Sequence, residues 1–412
     1  MRLIASAATS SGTKRETNED VYLVDAEEGF FCVCDGTRHP QGAEVARRTA
    51  EFMKDTWKRA RPLRDAYLKE PSRKNRQVIE LALLDAARTI NLDIHAAVLM
   101  DASRAGACTT LDFAGFVGDQ VVVGHVGDGR ALLVREGQLT CLTRDHTRAQ
   151  EMLSSGLWKE EQLKGSPFRH ELTRAIGAAS LVVPDLFSVP LQPGDRFILC
   201  SNGFSDRLER GHDTVAIETL KTEQDLAKRL VSLANERKTT DNATVIALVV
   251  PSVAAIQDQT QARGILQNPS HMQALMNVAV FQSLRENRRA MINLLSLATL
   301  RRFEPGATLM TQGDPSLEMV VILEGEVDIL EYGSVVAQRK IGEAIGEIGF
   351  FTKAPRTATA IAKKPTQVLS IHADDFQQLL SRDPYLGLDL ARGVIYELGR
   401  KLTEKARAVT WG

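Results

Sequence analysis

The sequence predicts an α+β fold in two domains, each built on antiparallel strands. A chain of 412 residues is too long for a single hydrophobic core, which favours two domains. In the first 250 residues, short β-branched runs are mixed with amphipathic helical stretches. After about residue 300, short strands follow one another closely, with glycine at their turns.

The strands of the first block are expected in neighbouring pairs. Predicted strands cover 30–34, 121–126, 131–134 and 244–250, and predicted helices cover 44–58 and 77–98. Short turns at 127–130 and 136–138 join consecutive strands, which favours an antiparallel arrangement over a doubly wound parallel sheet.

The second block begins after a change in composition. We expect residues 1–250 to form the first domain, 251–277 a linker rich in Gln, Ala and Asp, and 278–412 the second domain. Residues 272–300 have a helical pattern, and strands at 308–310, 320–323, 327–330 and 368–371 suggest a jelly roll. Helices are predicted at 374–380 and 384–406.

Composition limits the classes of function. With 51 basic and 52 acidic residues the net charge is -1, which argues against non-specific binding to nucleic acid or an anionic membrane. No apolar run approaches the roughly 20 residues that span a bilayer, and residues 1–17 lack the apolar core of a secretory signal, so we expect a cytoplasmic protein with no membrane partner. The five scattered cysteines are predicted to be buried thiols rather than disulfides or metal ligands.

Acidic residues recur where the first block changes direction. They are Glu19 and Asp20 before a strand, Asp35 after one, Asp128 in a Gly-Asp-Gly-Arg turn, Asp206, and Asp241 before another strand. Mg²⁺ and Mn²⁺ prefer oxygen ligands, so such carboxylates could form a two-metal centre that activates water. Each one alone is better explained as an ordinary turn residue, and only their order and spacing favour a site.

The order of these residues resembles the motif series of the PPM, or type 2C, protein phosphatases over about residues 1–250. The motifs are Arg15-x-x-x-Glu19-Asp20, Asp35-Gly36, Cys108-Thr-Thr110, Gly127-Asp-Gly-Arg130, Leu142-Thr-Arg-Asp-His146, Leu172-Thr-Arg-Ala-Ile-Gly177, Gly194-Asp195, Ser201-Asn-Gly203 and Asp241-Asn242. The resemblance implies a β-sandwich flanked by helices. It also implies hydrolysis of phosphoserine and phosphothreonine, in proteins phosphorylated by a serine/threonine kinase, by metal-bound water.

The same resemblance implies a role for each site residue. Glu19, Asp35, the Gly36 carbonyl and Asp241 look like ligands of two Mg²⁺ or Mn²⁺ ions, Asp20 supports them, and Asp128 and Asp206 look like the site of a looser third ion. Arg15 looks like the phosphate-binding residue, since a guanidinium offers several donors to phosphate oxygens. A surface salt bridge is the alternative for Arg15.

Three positions depart from the family pattern. Asn202 stands where the family has a metal-bridging aspartate, which should weaken metal binding and activity. The glycine-rich continuation after Asp35-Gly36 is replaced by bulkier residues that include His39, which is either a proton donor or an exposed loop residue. Gly129 replaces the usual serine. The alternative function is therefore a catalytically impaired pseudophosphatase that binds phosphoproteins under cyclic-nucleotide control, and a small-molecule phosphoesterase is a third.

The second block carries a cassette that suits a sugar phosphate. Glu347 can accept hydrogen bonds from a ribose and Arg356 can pair with a phosphate, although the two could equally pair with each other across a turn. Residues 278–405 resemble the cyclic-nucleotide-binding domain family, through motifs at 303–306, 312–314 and 322–327 and this cassette. The implied ligand is cyclic GMP or cyclic AMP, contacted by Gly346, Glu347, Ile348, Arg356, Thr357 and Ala358, with Thr357 favouring cyclic GMP. No helix-turn-helix follows this block, so DNA is not an expected partner.

Overall fold

The computed structural model describes two compact units, Met1–Ile256 and Gln257–Gly412, which are treated separately below. The described residues are 3–37, 39–163, 166–209, 225–253, 269–278, 287–315 and 317–382, with Thr214, Ile217, Phe281, Leu284, Gly387, Leu390 and Ile395. Within these ranges, no helix combines the length and the apolar character that crossing a membrane requires.

The first unit contains two five-stranded antiparallel sheets. Its strands are β1 (Ile4–Ser10), β2 (Asp20–Asp25), β3 (Phe30–Asp35), β4 (Leu111–Val117), β5 (Gln120–Val126), β6 (Arg130–Arg135), β7 (Gln138–Cys141), β8 (Asp185–Pro190), β9 (Arg196–Cys200) and β10 (Ala243–Val249). The strand orders are β1-β10-β9-β6-β7 and β2-β3-β4-β5-β8. The ring of Phe116 meets that of Phe197 edge to face at 5.6 Å, so the two sheets pack on each other.

The helices of this unit cover the outer faces of the sandwich or lie in its connecting loops. They are α1 (Gly42–Arg59), α2 (Arg61–Lys69), α3 (Arg73–Met100), α4 (Arg148–Ser154), α5 (Glu160–Leu163), α6 (Asn202–Ser205) and α7 (Leu226–Glu236). On one side the buried Trp57 of α1 packs on Phe30, with ring centroids 5.9 Å apart. On the other side α7 buries Leu226 and Leu230 against the sheet that contains β10. The predicted sandwich flanked by helices is confirmed.

The second unit contains two four-stranded antiparallel sheets, as a jelly roll requires. Its strands are β11 (Ala298–Phe303), β12 (Thr308–Met310), β13 (Glu318–Glu324), β14 (Glu326–Glu331), β15 (Ser334–Lys340), β16 (Ala344–Ile345), β17 (Thr359–Ala362) and β18 (Thr366–His372). Its helices are α8 (Pro269–Asn277), α9 (Arg288–Leu297), α10 (Glu347–Thr352) and α11 (Ala373–Arg382). The sheet orders are β11-β18-β13-β16 and β12-β17-β14-β15.

The stretch 272–300 is not one continuous helix, contrary to the sequence pattern. The side chain of Asn287 accepts a hydrogen bond from the Ala290 amide and starts α9 anew, and the chain turns into strand at Ala298. Leu275 of α8, inside the range expected to be linker, is buried in the core of the second unit. Most of the predicted helix 384–406, and residues 254–268 of the linker, lie outside the described residues.

All five cysteines are free thiols. Cys32, Cys34 and Cys200 are buried, whereas Cys108 and Cys141 are half-buried. The prediction of buried thiols is therefore confirmed for Cys32, Cys34 and Cys200 and is wrong for Cys108 and Cys141.

Candidate metal centre and nucleotide pocket

Strand ends from both sheets of the first unit meet at one end of the sandwich. Asp20 begins β2 and pairs in register with Asp35 at the end of β3. The side chain of Asp20 then bridges to the other sheet, where its Oδ2 accepts hydrogen bonds from Ser201 Oγ at 2.8 Å and Thr244 Oγ1 at 2.6 Å. Ser201 and Thr244 were not predicted as site residues, although Ser201 adjoins Asn202 and Thr244 lies three positions after Asp241.

The carboxyl groups gathered here repel one another. Burial is the main cause that raises the pKa of Asp20 to about 6, and the charge of Asp241 adds to it. Burial also raises the pKa of Asp35 well above its usual range, and the charges of Asp20, Asp128 and Asp241 raise it further. Four of the predicted residues therefore share one electrostatic environment.

Arg15 lies beside this cluster. Its guanidinium donates to Oδ1 of Asp241, with Nε at 2.9 Å and Nη2 at 2.6 Å. The carboxylate of Glu19 accepts a hydrogen bond from Thr17 Oγ1, and its backbone carbonyl accepts one from the Gly36 amide. Glu19 is thus hydrogen-bonded to Gly36 through backbone atoms, while its carboxylate is hydrogen-bonded to Thr17, two residues earlier in the same loop. A cavity of about 470 Å³ borders Arg15, Thr17 and Glu19.

Asn202 follows β9 and faces Asp128 rather than Asp20. Its amide donates from Nδ2 to Asp128 Oδ2 at 3.0 Å. Its Oδ1 is buried and has no hydrogen-bond partner among the described residues. An aspartate at this position would replace a donor with a second negative charge beside Asp128.

Two basic residues, not predicted from the sequence, bind the acidic pair Asp128 and Asp206. Arg169 Nη2 lies 2.6 Å from Asp206 Oδ1, and His170 Nε2 lies 3.2 Å from Asp206 Oδ2. The other ring nitrogen of His170 lies 3.6 Å from Asp128 Oδ2, and the Asp128 carboxylate is the main cause that raises the pKa of His170. Arg169 and His170 belong to a short 3₁₀ turn, Pro167–His170, that nothing in the sequence pattern connected to the site.

The donor set fits hard divalent cations. Mutually repelling carboxyl groups and the buried, unpartnered Oδ1 of Asn202 are the oxygen ligands that Mg²⁺ and Mn²⁺ prefer. In the part of the chain that the structure describes, no three His, Cys, Asp or Glu side chains form a preformed ligand group. His39 plays a local role, since its Nδ1 accepts a hydrogen bond from the Gln41 amide at 3.2 Å.

The second unit holds a cavity of about 230 Å³ next to α10. Its lining includes five of the six predicted contacts, namely Gly346, Glu347, Arg356, Thr357 and Ala358. The side chain of the sixth, Ile348, lies outside the described residues.

The guanidinium of Arg356 is fixed in this cavity. It donates to the carbonyl of Gly346 at 3.2 Å and to the carbonyl of Glu318, and its burial lowers its pKa. Gly346 has a φ of +84°, and a Cβ there would lie 2.1 Å from Nη1 of Arg356. Only glycine therefore allows both the left-handed backbone and the arginine position.

Known serine/threonine phosphatases are similar in sequence to this chain. The serine/threonine phosphatase stp of Listeria innocua is 28% identical over 246 residues, covering 59% of this chain and 94% of that protein. PstP of Mycobacterium tuberculosis, a serine/threonine protein phosphatase, is 34% identical over 202 residues, covering 48% of this chain and 38% of that protein.

Solved structures of serine/threonine phosphatases are also similar to this chain. The serine/threonine phosphatase of S. agalactiae matches with a TM-score of 0.53 and 28% identity, covering 60% of this chain and 99% of that structure. The catalytic domain of PstP, solved in complex with two manganese ions, matches with a TM-score of 0.51 and 27% identity, covering 61% of this chain and 99% of that structure.

Two family models match, one in each unit. The cyclic nucleotide-binding domain model matches residues 300–383, around the cavity next to α10. The protein phosphatase 2C model matches residues 12–243, more than half of the chain. The chain therefore belongs to the protein phosphatase 2C family and carries a cyclic nucleotide-binding domain in its second unit.

Proposed function

We propose that this chain hydrolyses phosphoserine and phosphothreonine in proteins phosphorylated by a serine/threonine kinase, and that a cyclic nucleotide controls this activity. The observation that carries the first part is the cluster of Asp20, Asp35, Asp128 and Asp241 beside Arg15 at one end of the sandwich. It combines cation ligands with a phosphate-binding group, as phosphoester hydrolysis needs.

The residues that would hold Mg²⁺ or Mn²⁺ are Glu19, Asp35, the Gly36 carbonyl, Asp241 and the amide oxygen of Asn202, with Asp128 and Asp206 for a third ion. Two bound cations would lower the pKa of a water molecule and neutralise charge on the phosphoryl oxygens. Arg15, 17% exposed at its side chain, would orient the phosphate while it remains paired with Asp241. Asp20, with a pKa of about 6, is suited to accept a proton at its Oδ1, because its Oδ2 already accepts two hydrogen bonds.

Asn202 should weaken this centre without abolishing it. An amide oxygen coordinates hard cations but carries no charge, so the pair of cations is neutralised less completely than with aspartate. We infer a loss of metal affinity of at least about 10-fold relative to an aspartate at this position.

Phosphate release from a phosphothreonine peptide tests the proposal. Purified protein with Mn²⁺ should release phosphate, and Asp35→Asn, which keeps the shape of the side chain, should not. The matched control is Asp93→Asn, because Asp93 makes an exposed ion pair with Arg48 on the outer helices. Binding of the peptide without turnover would instead identify a phosphoprotein-binding pseudophosphatase, and hydrolysis restricted to small phosphoesters would exclude a protein substrate.

Control by a nucleotide rests on the cavity next to α10. Glu347 and Arg356 both line it, and a cyclic nucleotide has a ribose hydroxyl and a phosphate for them to bind. The exposed hydroxyl of Thr357 lies on the same lining and favours cyclic GMP. Regulation further requires that the nucleotide binds the active and inactive states with different affinity.

Calorimetry with cyclic GMP and cyclic AMP tests binding, with Arg356→Lys as the variant. Lysine keeps the charge but loses the paired donors, so affinity should fall by at least about 10-fold. Phosphatase rates with saturating nucleotide and without it then test control. Binding with no change in rate would refute control alone, and no binding of either nucleotide would refute both.

A further inference from the structure

A buried aspartate–histidine pair lies beneath the proposed metal centre. Asp112 on β4 and His125 on β5 face each other in register, and both side chains are fully buried. Asp112 Oδ1 lies 2.7 Å from His125 Nδ1. Neither residue belongs to the proposed catalytic machinery. Asp112 Oδ2 is buried and has no hydrogen-bond partner among the described residues, so the contact with His125 is the one that holds the carboxyl group.

The histidine connects this pair to a neighbouring segment. Its Nε2 lies 2.9 Å from the carbonyl of Arg144, which can only accept, so Nε2 carries a proton and donates. Asp145 and His146, which follow Arg144, hold the turn 127–130 through hydrogen bonds. Asp145 binds Arg130 through two hydrogen bonds at 2.8 and 2.6 Å, and the His146 amide donates to the Gly127 carbonyl at 2.6 Å.

The other oxygen of Asp112 explains the glycine at position 129. A Cβ at Gly129 would lie 1.9 Å from Asp112 Oδ2, closer than any real contact. Gly129 is not in a left-handed conformation, so space rather than backbone angle requires glycine. A serine at position 129 therefore cannot coexist with this rotamer of Asp112.

We propose that the Asp112–His125 pair is a positioning device that holds the turn 127–130, and with it Asp128, in place for the metal centre. His125 of the pair binds the carbonyl of Arg144. Asp145 and His146 then bind Arg130 and Gly127, the two ends of the turn. Asp128 in turn receives the amide of Asn202 and faces Asp35. The effect on metal binding rests on the proposed phosphatase function, whereas the effect on the turn does not.

Hydrogen exchange of the metal-free protein tests the positioning directly. Asp112→Asn keeps the shape of the side chain but removes its charge. The matched control is Asp195→Asn, because Asp195 forms a buried pair with Arg135, at 2.7 Å, at the opposite end of β9. Both variants should lower the melting temperature. Only Asp112→Asn should speed exchange at the amides of Gly127 and His146, by at least about 10-fold, and equal exchange in the two variants would overturn the proposal.

Mn²⁺ calorimetry adds the functional readout. Asp112→Asn should weaken Mn²⁺ binding by about 10-fold, as loss of a supporting group does, and Asp195→Asn should leave it unchanged. Equal Mn²⁺ affinity in wild type and Asp112→Asn would overturn the link to the metal centre. If the wild type itself binds no Mn²⁺, the proposed phosphatase function fails, and the exchange experiment still decides the positioning role.

A double-mutant cycle tests the contact between Asp112 and Gly129. Gly129→Ala alone should destabilise the protein strongly, because its methyl group meets Asp112 Oδ2. In an Asp112→Ala background the two closest contacts are removed and the Cys200 carbonyl at 3.2 Å remains, so the second substitution should cost much less. Additive losses would contradict the proposed coupling of the two positions.

Discussion

Replacing Asn202 with aspartate should change metal-free and metal-bound stability in opposite directions. Without metal, the substitution exchanges the hydrogen bond from Nδ2 to Asp128 Oδ2, at 3.0 Å, for a contact between two carboxylates. Two unit charges at about 3 Å repel by roughly 1 kcal/mol in water and roughly 5 kcal/mol at an effective dielectric constant of about 20. Asn202 is half-buried, so a value between these limits applies, and about 2 kcal/mol would lower the melting temperature by roughly 4 to 8 °C.

With Mn²⁺ the added charge becomes favourable. The new carboxylate supplies the missing negative charge, so we expect Mn²⁺ affinity to rise by at least about 10-fold and phosphate release to increase. Thermal melts in EDTA and in Mn²⁺, with Mn²⁺ calorimetry, measure both effects on one protein.

The control for Asn202→Asp is Asn91→Asp. The amide of Asn91 is also enclosed by hydrogen bonds, but to the backbone at Gly177 and Ala179 rather than to a carboxylate. This control should lose stability equally with and without Mn²⁺ and keep its Mn²⁺ affinity. If Asn202→Asp leaves the melting temperature and the Mn²⁺ affinity unchanged, the position of Asn202 in the metal centre is wrong.

Three further predictions concern other parts of the chain. Asp35→Asn should raise the metal-free melting temperature, because it removes a charge that Asp20, Asp128 and Asp241 repel. The same substitution should abolish phosphate release, and a fall in metal-free stability would contradict the prediction. Burial lowers the pKa of His146 to about 4, so the unfolded state binds the proton more tightly and stability is lost as pH falls from about 6.5 to 4. Relative to His146→Gln, the wild type should lose roughly 3 kcal/mol of unfolding free energy over that range in urea melts, and a constant difference would refute the buried neutral imidazole. Gly346→Ala should abolish cyclic-nucleotide binding by displacing Arg356, whereas Gly333→Ala, at a φ of +85° with nothing within 4 Å of the added methyl group, should cost only about 1 kcal/mol and keep binding.

Sequence patterns predicted the parts of the site that lie on strands. Asp20 and Asp35 adjoin strands with an obvious apolar pattern, and antiparallel pairing then places the start of one strand beside the end of the next. That Gly346, Glu347 and Arg356 line one cavity was predictable for a related reason, since they lie close together in one short segment.

Contacts between distant segments could not be predicted in this way. Arg169 and His170 reach Asp206 from a 3₁₀ turn outside any strand or helix pattern, and local periodicity contains no information about where such a turn packs. The need for glycine at position 129 could not be predicted, because its cause lies 17 positions away in the space taken by Asp112. The sequence could not show that the helical stretch 272–300 is interrupted, because its apolar spacing fits one long helix as well as a helix that starts at Asn287 and ends at a strand.

The charges around the metal centre suggest why a neutral residue is tolerated at position 202. Asp241 is paired with Arg15 and Asp206 with Arg169, so two of the carboxylates are already neutralised without metal. Asp128 accepts a hydrogen bond from the amide of Asn202, and its Oδ2 lies 3.6 Å from the ring of His170. An aspartate at position 202 would leave Asp128 and its new neighbour to repel each other whenever metal is absent. We therefore expect Asn202 to stabilise the metal-free fold and to lower metal affinity, so that the concentration of Mn²⁺ or Mg²⁺ limits activity more strongly than in an aspartate variant.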